Sequence, residues 1–366
     1  MFGRKLKINK NYAYIYKSIE ELRKYVENPV NDSLDRTLNL STYMALTDFL
    51  SITNTLDANY IEKSLSSLEK ELAKIVSDTF VKQQEYQKTV DTFYEDVYEL
   101  LAEPYLKNKS VGKEIKISSK EQFNLLKDYY KTTDERLRKI FLYYNKKNRI
   151  FSMPFPTKED ILDDSDNLGA CIANHLTNEP FVFIKQNINQ IALMMNVAHE
   201  FGHILDITTY SEEHTTKETT IYSFASPYGE VNSIYQEYAF YEYLLNNNVF
   251  DSTLVDIVRN ETIEKYLMSF TFASSLGNKD KYKLFDMVTD DYINSISSDE
   301  YLSEDLMNYG YGMMFAFAML DNHDMYDKFQ GIRESYLNRK QLEEAGFTNE
   351  TVSKVMVKKM NEYFGG

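Results

Sequence analysis

Glycine and proline are scarce in this chain of 366 residues, with 12 and 6 copies. Few turns can be built from so little of either, which favours long helices over a many-stranded sheet. Cysteine is all but missing. Cys171 stands alone, which excludes an intrachain disulfide and suits a reducing compartment, so the expected location is cytoplasmic. Basic residues are outnumbered, 41 Lys and Arg against 56 Asp and Glu, for a formal net charge of −15. With no basic surplus to neutralise phosphates, nucleic acid is excluded as a partner class. Long apolar runs are missing too. The basic N-terminus lacks the apolar core of a signal peptide. The run Met313–Leu320, MMFAFAML, is far too short to span a bilayer, so no membrane partner is expected.

What remains is ample for a folded core: 43% hydrophobic and 14% aromatic residues argue against disorder. Residues 1–150 read as helices throughout. Ser18 and Glu21 form a capping box, and Pro29 closes the helix they begin. Ile61, Leu65, Leu68, Leu72, Ile75 and Phe80 recur at helical spacing, and the stripe continues to Pro104. Ser118 and Glu121 cap one more helix, expected to run to the basic end at Lys146–Arg149. All of this reads as wall and scaffold. The prolines of MPFP break the pattern at Phe151–Pro156. The expected division is therefore an N-terminal helical region, 1–150, and a catalytic region, 151–366, which can still form one continuous body.

Histidine is also rare, five in all, yet two lie four apart in NQIALMMNVAHEFGHILDI, Asn189–Ile207. On a helix His199 and His203 share one face, where both imidazoles can converge on one metal ion. Glu200 sits about 100° further round, placed to serve a water at the metal as general base. This His-Glu-x-x-His spacing is the pattern of zinc hydrolases. Apolar residues leave almost no polar face, so the helix should be buried. Gly202 is costly inside a helix, by about 1 kcal/mol against Ala, and is read as making space beside His203 for metal or substrate. Pro180–Lys185, PFVFIK, is the best strand candidate; it is either an exposed edge, a natural place to hold an extended peptide, or equally a plain core strand.

After Ile207 a polar, β-branched loop is expected, with His214 solvated within it. A turn at Pro227–Gly229 then opens a helix at Glu230. Zinc needs a third protein ligand, and Glu230 is the first carboxylate of this returning helix. Glu237 follows two turns along the same face, placed to hydrogen-bond a zinc-bound imidazole from behind. Asp206 shares the histidine face and is either such an acceptor or, as the lesser alternative, the third ligand. His175 and His323 have no supporting context and receive no role.

These pieces resemble the thimet oligopeptidase and oligoendopeptidase F family of zinc metallopeptidases. The resemblance rests on HEFGH (His199–His203) and on Glu230-Val-Asn-Ser-Ile-Tyr-Gln-Glu237. That segment is similar to the family's own, where a ligand Glu is followed by Ser three places on and Glu seven places on. Gly169-Ala170-Cys171, then PFVFIK, then the histidine helix keep the family's order, and YGYGMMFAFAML (Tyr309–Leu320) is similar to its tyrosine-rich segment. The region covered is about 169–320. The resemblance implies a mainly α, two-lobed body with a deep channel and a small β-sheet beside the zinc helix. It further implies a Zn²⁺-dependent endopeptidase for short, unstructured oligopeptides. Tyr309 or Tyr311 would donate to the oxyanion; Gly312, read as leaving room for a substrate, favours Tyr311. Asp206 stands where relatives usually carry another histidine, and the glycine- and histidine-rich approach to the tyrosines is absent. The chain is also shorter than typical members, so part of the lobe restricting channel entry is expected to be missing. Two alternatives stand beside general peptide hydrolysis: a dedicated peptidase removing a leader from one peptide, and a catalytically inactive helical peptide-binding protein.

Overall fold

The structure, a computed structural model, describes residues 119–133, 135–147, 150–153, 169–172, 180–185, 190–215, 219, 229–275, 309, 312–331 and 339–364. The helices expected before residue 118, His175 and Tyr311 lie outside the described residues. Among those described the chain is mostly helical.

The capped segment is not one helix but two, α1 (Ser119–Thr133) and α2 (Glu135–Lys146). The rings of Phe123 and Phe141 lie 5.4 Å apart, a distance a continuous helix at 1.5 Å per residue could not produce. The two segments therefore fold back as a hairpin. At the end of α1, Thr132 and Thr133 turn their hydroxyls onto the carbonyls of Tyr129 and Tyr130. The hairpin then buries Tyr130 and Phe141 edge-on against Phe201, at 4.8 and 5.1 Å.

Three short strands follow, β1 (Ile150–Met153), β2 (Gly169–Ile172) and β3 (Phe181–Lys185), in the order β1-β3-β2. β1 runs parallel to β3, with Ile150 opposite Val182, and β2 runs antiparallel, with Cys171 opposite Val182. Of the two readings of PFVFIK, the free edge is therefore overturned and the core strand holds. β3 is the central strand, and its backbone groups are consumed on both sides. Among the described residues the outer edges belong to β1 and β2.

Helix α3 (Gln190–Tyr210) packs against β2, β3 and the hairpin. It runs one turn beyond Ile207, where a loop was expected, because buried Ile207 and Tyr210 anchor that turn and Thr209 Oγ1 returns to the Leu205 carbonyl at 2.8 Å. His214 is not simply solvated: its ring stacks on Tyr210 at 3.8 Å and its Nδ1 lies 2.9 Å from the Tyr210 carbonyl oxygen. Helix α4 (Gly229–Asn246) carries an almost unbroken buried run from Val231 to Tyr238. It ends where Asn248 adopts φ 50° and the amides of Asn248 and Val249 return to Leu245 and Leu244, a left-handed C-terminal cap. Asp251 then receives the Thr253 amide and opens α5 (Ser252–Ser275), which turns back along α3 and α4.

The helical stretch α6 (312–320) is buried along its whole length. It is followed by α7 (His323–Gly331), α8 (Arg339–Ala345) and α9 (Asn349–Phe364). Lys359 on α9 is buried, and its ammonium reaches Glu242 at 2.6 Å and Asp321 at 2.7 Å, tying the C-terminal helix to α4 and the end of α6.

Candidate metal centre

Because α3 is apolar nearly all round, it sits in the core, and its few polar groups must find partners there. His199 and His203 project from one face, their rings 5.2 Å apart at 79°. Glu200 between them is 7% exposed.

The second side of the site comes from α4, and Gly202 determines how close it can come. A β-carbon on Gly202 would lie 2.4 Å from the Ser233 Cα and 2.7 Å from the Asn232 carbonyl oxygen. The glycine thus makes room for the α4 backbone, not for a metal or a substrate as the sequence reading supposed. A close crossing needs a residue without a side chain at the contact. At that crossing Glu230 places Oε2 3.2 Å from His199 Nε2 and 3.6 Å from His203 Nε2. Ser233 Oγ donates to the same oxygen at 3.0 Å. Two turns along α4, Glu237 Oε2 stands 3.2 Å from His199 Nδ1, on the far side of the ring.

Gly312 plays a similar packing role. A β-carbon there would meet Glu230 Cβ at 2.7 Å and Ile234 Cδ1 at 2.8 Å. The space beside Gly312 is filled by α4, so the argument for Tyr311 from an open substrate gap falls away. Tyr309 lies at the site: its ring is 6.3 Å from that of His199 and nearly parallel to it.

The electrostatics favour positive charge between these groups. Burial by itself would lower His199, but the hydrogen bonds to Glu230 and Glu237 and the charges of Glu230 and Glu200 push it up to about 10. Burial would raise Glu230, yet the His203 charge, the His199 hydrogen bond and charge, and Ser233 bring it down to about 2. Burial also raises the Cys171 thiol, with added push from Glu200, Glu230 and Asp206, which brings strand β2 within the field of the site.

The donor set can be tested against a metal. One ligand atom each from His199, His203 and Glu230 lies within 4.8 Å of the other two, the one such group among the described residues. Two imidazoles and a carboxylate, with an acceptor behind one imidazole, fit a zinc ion with an open position. Asp206 is not in that group of converging ligand atoms. It accepts a 2.6 Å hydrogen bond from Asn232 Nδ2, whose oxygen in turn accepts from Gln330 Nε2 at 2.7 Å.

One residue at the site escaped the sequence reading. Tyr266 of α5 is 3% exposed, and its hydroxyl donates to Glu237 Oε2 at 2.6 Å while lying 3.2 Å from His199 Nδ1. Burial first, and then the Glu237 charge, hold its phenol well above the ordinary tyrosine range, so it remains a donor. No motif surrounds it, and one tyrosine among 30 carries no signal of its own.

No protein-family model matches the chain, and a search of the curated proteins finds no relative. Among solved structures, one described as PZ peptidase A with inhibitor 2 superposes with a TM-score of 0.45 at 12% identity, covering 94% of this chain and 71% of that one. So loose a superposition carries no weight for activity, and the chemistry of the chain stands on its own side chains.

Proposed function

We propose that the chain is a zinc-dependent endopeptidase acting on short, unstructured oligopeptides. The observation that carries this reading is the convergence of His199 Nε2, His203 Nε2 and Glu230 Oε2 on one point, with Glu200 buried on the helix that supplies both imidazoles.

In this reading His199, His203 and Glu230 hold the ion. When bound, zinc supplies a Lewis acid for a carbonyl oxygen and lowers the pKa of a water. Glu200 is the general base: it takes a proton from the attacking water and passes it to the leaving amine. Ser233 steadies the Glu230 carboxylate, and Glu237 holds the His199 ring by its Nδ1 side. Tyr309 is the candidate donor to the oxyanion, its ring lying 6.3 Å from that of His199. An extended peptide would pair with the outer edge of β2, the outer strand packed against α3, since both sides of β3 are taken. Only a chain with free backbone N–H and C=O groups can pair in that way, which restricts substrates to unfolded segments.

Metal analysis combined with mass-spectrometric profiling of a mixed peptide library tests the proposal. About one zinc per chain is expected, with cleavage of disordered peptides that a chelator stops and added zinc restores. A protein that binds peptides without cutting them, with or without zinc, would instead be the inactive peptide-binding protein.

A further inference from the structure

The Glu237–His199 contact has a third member. Tyr266 Oη lies 2.6 Å from Glu237 Oε2 and 3.2 Å from His199 Nδ1, while Glu237 Oε2 is itself 3.2 Å from Nδ1. The three atoms form a closed triangle, and its proton order follows from chemistry. An ionised carboxylate only accepts, so the Tyr266 hydroxyl donates to Glu237. The Nδ1–H then faces two acceptors, the Glu237 oxygen and the phenol oxygen. Two acceptors on one N–H keep a proton on Nδ1 and turn Nε2 toward Glu230 and His203, the side on which a metal ion would bind.

We propose that Tyr266 is a positioning residue for the metal centre: it fixes the Glu237 carboxylate and caps the Nδ1 side of His199, so that Nε2 is held in the tautomer and orientation a metal ion requires. The inference rests on the metallopeptidase reading above. The Tyr266 ring has separate packing partners, Tyr309 at 5.8 Å and Tyr238 at 6.1 Å. Phenylalanine would keep those contacts and remove the hydroxyl alone. This separates positioning from bulk packing.

The test uses the full-length protein stripped of metal, with zinc affinity read by competition against a chromophoric chelator. Tyr266→Phe should bind zinc about 10–100-fold more weakly, the usual effect of losing a partner behind a metal-bound histidine. Its cobalt-substituted form should show shifted d–d absorption, because the His199 ring is free to turn. In a Glu237→Gln background the same substitution should add less than about threefold, since the residues act through one triangle. Two results would overturn the inference: Tyr266→Phe binding zinc as tightly as the parent with an unchanged cobalt spectrum, or a loss that repeats in full in the Glu237→Gln background, as a general packing role requires. A parent protein that takes up no zinc would overturn the metal-centre reading itself, and that failure is seen before any variant is made.

Discussion

Glu200 shares α3 with both histidines, yet it is absent from the group of converging ligand atoms. A group so placed can be removed chemically without disturbing the metal. Glu200→Gln is expected to keep its zinc and its thermal midpoint while kcat falls by about 10²–10⁴. Zinc loss in that variant would show that the side chain supports the site structurally. Tyr309→Phe is expected to lower kcat and kcat/KM together by about 10²–10³, with zinc content and KM little changed. Parent-like kinetics would move the oxyanion role to Tyr311 or leave it to the ion. The two histidines and Glu200 were legible because their relation is local: helical spacing places them before any tertiary contact forms. Tyr266 was not legible, because the triangle joins α3, α4 and α5 and no spacing within α5 announces it.

At the scale of elements, the α3–α4 crossing decides where Glu230 stands. Gly202→Ala puts two local rules in opposition. Helix propensity alone favours Ala by about 1 kcal/mol, whereas the added carbon would sit 2.4 Å from the Ser233 Cα. Two backbones cannot yield as a flexible side chain does, so packing wins. The variant is expected to be destabilised by about 2–3 kcal/mol in denaturant melts and to bind zinc more weakly, because Glu230 moves with α4. A melt at or above the parent's stability would mean that the crossing relaxes without cost. The sequence marked Gly202 as unusual but not why; the reason lies in a helix that follows 27 positions later, and the partner of a close crossing is not written at the crossing. The hairpin of α1 and α2 teaches a related lesson. The start of α1 was readable, but its fold-back onto α2 depends on Phe123 and Phe141 meeting across the hairpin.

For the whole molecule, metal binding and folding should be coupled. Chelation is expected to lower stability by about 2.7 kcal/mol relative to free zinc at a hundredfold over Kd, visible as a lower thermal midpoint. A midpoint indifferent to chelator and zinc would argue against a bound metal in the folded state. The far end of the chain has its own pH signature. Burial would raise Asp321, but hydrogen bonds from Lys358 and Lys359 and their charges lower it. A carboxylate lowered on folding contributes stability above its ordinary range and loses it as pH falls through the depressed value. Asp321→Asn should therefore be less stable than the parent at neutral pH, the difference closing in acid; a difference constant with pH would exclude the ion pair as its cause.

The sequence by itself determined what periodicity and chemistry impose over a few turns: the helices that dominate the described residues, two imidazoles on one face of a buried helix, and Glu230 and Glu237 on a common face two turns apart. These relations follow from 3.6 residues per turn and survive any packing. Only the tertiary structure decided that β3 is central and edgeless, that Gly202 and Gly312 admit a helix and not a ligand, and that Tyr266 completes the contact behind His199. Each of these depends on which distant segment fills a given space, and a residue's spacing along its own helix carries no record of that neighbour.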